Sequence, residues 1–315
     1  MLSWSFFHHL FFGTVGIILN LLLCYMALFK SPATIKTYST LIFNFALTDL
    51  IACITDTLVQ QRVLPSGMSM LYLPEGVCIH FGVRTCNVLF SFFLHCLSHA
   101  LWSLLASFIY RYYILNNPAV KVKTLLMILT VVYIPSLIQA LSFWTVFEET
   151  PAVVQLFHEK FPTYNITGRV FTGIPSMMSF PSLYCIAHLC FPVFPVYVTI
   201  GVFRRKIIKH LNVLTLQACL PLFMWIASTV YLLQQFQIVK GEFYERLVFS
   251  MAVLLPFCGP LTYICFIRPY RVFCKQLVMS IFCPGKIANV APRSMFISDS
   301  SINGVTAGQP SFVAS

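Results

Sequence analysis

Seven stretches of this 315-residue chain run for about 20 residues or more with almost no charge, at roughly 6–29, 39–60, 85–110, 124–147, 183–203, 214–236 and 247–267. A helix rises about 1.5 Å per residue, so each stretch is long enough to cross a hydrocarbon core about 30 Å thick. Only 9% of the residues are charged and 58% are hydrophobic, too few polar side chains to wet the surface of a soluble enzyme. The pattern therefore predicts an all-α membrane protein, a bundle of seven transmembrane helices. Pro181, Pro192 and Pro195 crowd the fifth stretch, which predicts kinks rather than a lost span, because neighbouring helices can satisfy the freed carbonyls.

Charge sets the expected orientation. With the amino terminus outside, fourteen of the 20 basic residues fall in the inner loops and tail, among them Arg111, Arg204 and Arg205, while Glu75, Glu148, Glu149, Glu159, Glu242 and Glu245 fall outside. Basic residues concentrate on the cytoplasmic side of membrane proteins, so the carboxyl terminus is expected in the cytoplasm. Lipid headgroups and a cytosolic partner then account for the net charge of +11, and nucleic acid is not needed. The first run lacks a basic leader and a small-residue cleavage pattern and is expected to be retained as a span. The longest outer loop carries Asn165-Ile166-Thr167, a glycosylation acceptor. Residues 1–283 are read as the seven-span membrane domain and 284–315, rich in Ser, Gly, Pro and Ala, as a disordered tail.

Several polar residues stand out within the spans. An acid at a span centre is costly, so Asp49 should face the bundle interior with a partner, and Asn20 is the candidate. Asp56 lies seven residues further along the same face and is a candidate for an outer pocket. His95 and His99 share one face of the third span, with Cys96 and His188 as nearby residue types. An i, i+4 histidine pair could hold metal or haem, but no third ligand is placed by the sequence, so neither a metal nor a cofactor is expected. Hydrogen bonding between helices is the leading role, with ligand contact the functional alternative. Most of the twelve cysteines lie inside spans as packing residues, and only Cys78, Cys86 and Cys185 fall near the outer side. Cys274 and Cys283, among basic residues past the seventh span, are candidate palmitoylation sites. No metalloprotease, phosphate-loop or nucleophile-elbow motif is present, so an enzyme is not expected. A transporter or haem-linked redox protein, resting on Asp49 and the histidines, is the rival reading.

Local motifs narrow the class. Asn44-Phe45-Ala46-Leu47-Thr48-Asp49-Leu50 resembles the second-span segment of rhodopsin-like G-protein-coupled receptors. Gly259-Pro260-Leu261-Thr262-Tyr263 resembles their seventh-span ending with Gly in place of Asn, and Tyr110-Arg111-Tyr112 resembles their third-span ending without its acid. The sixth span has Pro221 four residues before Trp225, reversing the usual order. The fuller pattern resembles the nematode chemoreceptors called serpentine receptor class delta. It includes His9-Leu10-Phe11-Phe12-Gly13-Thr14-Val15-Gly16, Ser31-Pro32, Gln61-Arg62, Ser107-Phe108-Ile109-Tyr110-Arg111-Tyr112-Tyr113 and Arg268-Pro269-Tyr270-Arg271. The resemblance covers residues 6 to about 285.

That resemblance implies a chemosensory receptor in the plasma membrane of a sensory neuron, its cilium included, taking a small, mostly apolar ligand and signalling to a heterotrimeric G protein. It implies a buried Asn20–Asp49 pair, and coupling through Tyr110, Arg111, Tyr112, Arg204 and Arg205. Pro221, Pro260 and Tyr263 become candidate hinge residues. His95 and His99, about 24 and 18 Å above Arg111 along the helix, fall at the depth where receptors of this shape bind ligands, with Asp56 and His188 completing the candidate pocket. Cys86 takes the position of the extracellular disulfide cysteine. Cys185 is its candidate partner, unless Cys78 bonds with one of the two.

Overall fold

A computed structural model of the chain describes residues 4–146, 151–162, 164, 169–207 and 219–282. Asn165, Cys283 and the tail 284–315 lie outside the described residues. Apolar helices dominate: α1 (Trp4–Phe29), α2 (Lys36–Val59), α3 (Val83–Tyr113) and α4 (Val122–Val146) are continuous. The fifth span is two helices, α6 (Phe180–Cys190) and α7 (Val193–Ile207), and the seventh is also two, α9 (Glu242–Ala252) and α10 (Leu254–Phe266). Between them stands α8 (Pro221–Gln235), the sixth span, and the short α5 (Pro151–Lys160) belongs to the loop after α4. Among the described residues six spans exceed the length and hydropathy needed to cross a bilayer, and α8 completes the seven-helix bundle.

Prolines explain both breaks. Pro192 and Pro195 carry no N–H for the carbonyls of His188 and Phe191, and the chain turns between α6 and α7 there. Pro256 likewise withdraws the partner of the Ala252 carbonyl, and α9 ends at that residue. Pro260, inside α10, frees the Pro256 carbonyl, and that oxygen is taken by the Asn20 side-chain amide from α1 at 2.9 Å. Asn20 also donates to the Gly16 carbonyl at 2.9 Å. Its role is thus to close a backbone gap in a helix 236 residues away in sequence. Among the described residues no hydrogen bond joins it to Asp49, which corrects the expectation of a direct pair. Asp49 is buried against α10 instead, because residue 259 is glycine: a Cβ there would stand 2.5 Å from the carboxylate oxygen.

One end of the bundle carries a small antiparallel sheet that the apolar runs did not predict. The chain leaves α2 through Gln60 in the left-handed region and enters β1 (Gln61–Ser66), then β2 (Ser69–Pro74). Gly67, with φ 61°, occupies the first central position of the two-residue turn, the arrangement of a type II′ hairpin. β3 (Thr172–Ile174) pairs with β2, Tyr72 opposite Thr172 and Met70 opposite Ile174. Alternation then splits the sheet's side chains. Val63, Met70, Tyr72 and Ile174 pack down onto the bundle core, while Leu64, Leu71 and Leu73 pack up against Val153 and Phe157 of α5. The result is three layers at this end: bundle, sheet, helix.

At the opposite end, α11 (Arg268–Phe282) follows the seventh span after the extended residue Ile267 and turns back under the bundle. Tyr270 is fully buried and its hydroxyl meets that of Ser31 at 2.6 Å, tying α11 to the turn after α1. The Cys274 thiol, half-buried, faces the Met26 sulfur. Leu277, Val278, Met279, Ile281 and Phe282 are exposed on this helix, the composition of a segment lying along a membrane interface.

The disulfide differs from the leading expectation. Cys86 is bonded to Cys78, in the short 3-10 helix Val77–Phe81 between β2 and α3. Cys185 is free, buried inside the bundle, and its thiol faces the Gln139 carbonyl at 3.5 Å. The hairpin explains the pairing: it consumes residues 61–74 in turning back over the bundle, so the chain comes down with Cys78 beside the first turn of α3. Each of Cys78→Ser and Cys86→Ser should therefore destabilise the protein by about 2 kcal/mol or more, the double variant should lose no more than either single one, and Cys185→Ser should be close to neutral, as read from thermal unfolding of the purified protein.

Candidate functional site

Beneath the sheet lies a cavity enclosing about 610 Å³ of unfilled space, counted out to its mouth. Its walls are helical stripes: Phe90, Leu94 and Leu97 on α3, and Met224, Ala227, Ser228 and Tyr231 on α8. These follow the i, i+3, i+4, i+7 spacing of one helix face. Val248, Phe249 and Ala252 of α9 close the third side, Cys185, Ile186, Leu189 and Cys190 of α6 the fourth, and Val63, Met70 and Tyr72 of the sheet form the roof. Phe90 links the parts, its ring 5.2 Å from Tyr72, 5.5 Å from Phe143 and 5.2 Å from Phe249. No charged side chain lines this space. Its lining is mostly apolar, with a few polar side chains among carbon, the character of many small-molecule sites.

The roof is fastened by charge. Arg62 on β1, its side chain only 3% exposed, donates through Nε and Nη2 to Glu245 Oε2 at 2.8 and 2.6 Å, and through Nη1 to Glu242 at 3.1 Å. Arg246 makes a two-pronged contact with Glu75, reaches Glu242 Oε1 at 2.8 Å and the Ser5 hydroxyl at 3.1 Å. Tyr164 stacks under the Arg62 guanidinium at 5.0 Å and donates to Glu245 Oε1 at 2.8 Å. Burial, and then that hydrogen bond, push the Tyr164 hydroxyl up to about 12, so it stays a donor. The two arginines face three carboxylates, and Arg169, 3.8 Å from Glu75, completes the charge balance. Gln235 donates to the Gly67 carbonyl and Gln237 to that of Pro65 at 3.0 Å, holding the hairpin tip to the end of α8 and the residues just after it.

None of the four pocket candidates from the sequence, Asp56, His95, His99 and His188, lines this cavity, and the cause is geometric. On α3 the wall is Phe90, Leu94 and Leu97, and His95 and His99 are rotated away from it by the helical period. They stack on one another at 6.0 Å, with Tyr133 of α4 set edge-on against both at 4.7 and 5.0 Å. His99 Nε2 donates to Asn44 Oδ1 at 3.3 Å, and the Ser103 hydroxyl lies 3.2 Å from the same nitrogen. His99 thus joins α3 to α2 by a hydrogen bond. His188 lies stacked between Tyr184 and Trp102, at 5.7 and 6.2 Å. Asp56 accepts from His9 Nδ1 at 2.8 Å, while His9 Nε2 faces Ser250 at 3.4 Å, a polar bridge across α1, α2 and α9. The true lining escaped the sequence reading because Leu, Phe, Met and Ala on a cavity wall look the same as core. Arg62 enters the sequence pattern only through Gln61-Arg62, and the signal for its partners is Glu242 and Glu245, three residues apart on one helix face.

At the far end of α3, Arg111 donates to the Tyr38 hydroxyl, and its guanidinium lies 4.9 Å from the Tyr38 ring and 5.8 Å from the Phe108 ring. Tyr110 stacks flat on Tyr38 at 6.4 Å, and Tyr112 meets Phe203 of α7 at 5.2 Å. Tyr38 thus takes the place of the absent neighbouring acid. Arg204 and Arg205 lie near the end of α7, and Pro260 and Tyr263 sit together in α10. Pro221 opens α8.

The family model described as "Serpentine type 7TM GPCR chemoreceptor Srd" matches residues 5–276. Serpentine receptor class delta-18 of Caenorhabditis elegans is 42% identical over 297 residues, covering 87% of this chain and 88% of that protein. Serpentine receptor class delta-19 of the same organism is 42% identical over 298 residues with the same coverage, and class delta-3 is 31% identical over 314 residues, covering 88% and 91%.

The buried network makes a sharp mutational signature. Removing one partner of a buried ion pair leaves the other charge stranded, at a cost of about 3–5 kcal/mol. Arg62→Met should therefore lower thermal stability strongly, and Arg62→Met combined with Glu245→Gln should recover a large part of the loss. Equal losses in the single and double variants would refute the latch.

Proposed function

The chain belongs to the Srd family of serpentine seven-transmembrane chemoreceptors, a family of receptors and not enzymes, and on that premise we propose that it binds a small, mostly apolar ligand in the chamber beneath the sheet and signals to a heterotrimeric G protein. The observation that carries this reading is that one helix serves both ends. α3 gives the chamber Phe90, Leu94 and Leu97 and ends at Arg111, about 21 Å beyond Leu97 along the axis. A ligand that fits one packing of the walls better than another shifts the bundle by its differential affinity, and a rigid helix carries the shift to its other end.

The breaks in the seventh span and the proline that opens α8 are where such a shift is absorbed. Asn20, which holds the carbonyl freed by Pro260, would keep α10 continuous through the movement. At the cytoplasmic face, Arg111 leaves Tyr38 and, with Tyr110, Tyr112, Arg204 and Arg205, forms the contact surface for the G protein. The sheet end faces outward, and the chain sits in the plasma membrane of a sensory neuron, lipid covering the exposed leucines, valines and phenylalanines of its rim. Cys274 and Cys283 are positioned by sequence for palmitoylation beside the inner leaflet.

Two measurements test this. Arg111→Lys keeps the positive charge at the membrane interface but loses the planar fork that binds carbonyls and ring faces. Ligand-evoked signalling in this variant should fall about tenfold or more with surface expression near that of the parent chain, and unchanged signalling would leave Arg111 an anchor only. In intact cells Asn165 should carry a glycan and an epitope placed after Ser315 should be inaccessible to antibody. Labelling of that epitope without permeabilisation would reverse the orientation.

A further inference from the structure

The chamber wall is almost wholly apolar, and its polar groups are nearly all engaged. Cys185 faces the Gln139 carbonyl, Ser228 is hydrogen-bonded with the Cys190 thiol, and Tyr72 has a partner in the fold. The exception is Tyr231. Its side chain is 8% exposed, it lines the cavity, and its hydroxyl is buried with no hydrogen-bond partner among the described residues. Native proteins rarely leave such a group unpaired, and when they do the group has a use.

Resting on the reading that this chamber is the ligand site, we propose that its ligand is a neutral small molecule with one oxygen function, an alcohol or a carbonyl compound, whose oxygen pairs with the Tyr231 hydroxyl. A phenol can donate to a carbonyl or accept from an alcohol. A carboxylate or ammonium would be buried here without a counter-charge, which excludes both. A plain hydrocarbon would fill the space and leave the hydroxyl unpaired, and a site built around such a group discriminates strongly against analogues lacking it. The geometry also orients the molecule. α8 ends beside the hairpin, where Gln235 holds the Gly67 carbonyl, so Tyr231 lies near the roof and Met224 two turns deeper. The oxygen sits under the sheet and the apolar tail points down towards Met224 and Leu97.

The test uses the full-length protein in lipid nanodiscs, with thermal stabilisation read against n-hexanol, methyl butyl ketone, hexane, hexanoate and hexylamine. The alcohol and the ketone should stabilise the parent chain more than hexane, and the two ions should not stabilise it. Tyr231→Phe should weaken the alcohol and the ketone about tenfold and leave hexane within about twofold, which also reports that the variant is folded. Ala227→Phe, which fills the chamber, should abolish all binding. Met224→Ala, at the deep end, should shift preference towards longer alcohols. If Ala227→Phe leaves the probes bound, they sit elsewhere and the chamber is not the ligand site. If Ala227→Phe abolishes them but Tyr231→Phe does not weaken the oxygenated pair, the chamber stands and the oxygen contact is overturned. No stabilisation by either oxygenated probe, or tighter binding of hexane or of an ion, overturns it equally, and an unchanged length preference in Met224→Ala overturns the orientation.

Discussion

A hydrocarbon core offers no hydrogen bonds, so every polar group that a span carries or exposes must be answered from within the bundle. The most consequential instance is the Pro256 carbonyl, freed by Pro260 and answered by Asn20. That one contact lets the seventh span bend at two prolines while remaining docked on α1. The same demand recurs in smaller form: Thr48 and Thr57 turn their hydroxyls back to carbonyls four residues earlier in α2, at 2.8 and 2.7 Å. His9, Asp56 and Ser250 answer one another across three helices.

The sheet follows from that constraint. A strand with free edges cannot sit among lipid, but at the end of the bundle it can be roofed by α5 and latched by Arg62 and Arg246. There its alternating side chains line the chamber below and build a second small core above. The two arginines are buried because their carboxylates come from separate segments: Glu75 follows β2, and Glu242 and Glu245 open α9. The latch thus joins the roof to the span that contains the proline breaks.

Membership in the Srd family makes the receptor reading coherent with this architecture. The transporter or redox rival rested on Asp49 and the histidines, and the structure gives each of them a neighbour within the bundle: α10 against Asp49 at the gap left by Gly259, and Asn44, Ser103 and Tyr133 around the His95–His99 pair.

The sequence by itself determined the spans, their number and their approximate ends, because the hydrocarbon thickness imposes a length on any apolar helix. It also determined that Asp49 must turn inward and that the fifth span would be broken by its prolines. It left the Cys78–Cys86 link as one alternative beside Cys86–Cys185 and did not yield the sheet or the chamber. Gly67 between two strand-like runs was a local signal for the hairpin, but pairing with β3 joins segments about a hundred residues apart in sequence. The chamber is still less legible, since Phe90, Leu94, Ala227 and Tyr231 differ from core residues only in what does not stand opposite them. Lining a cavity is a property of several helices packed together, so only the tertiary structure could assign it.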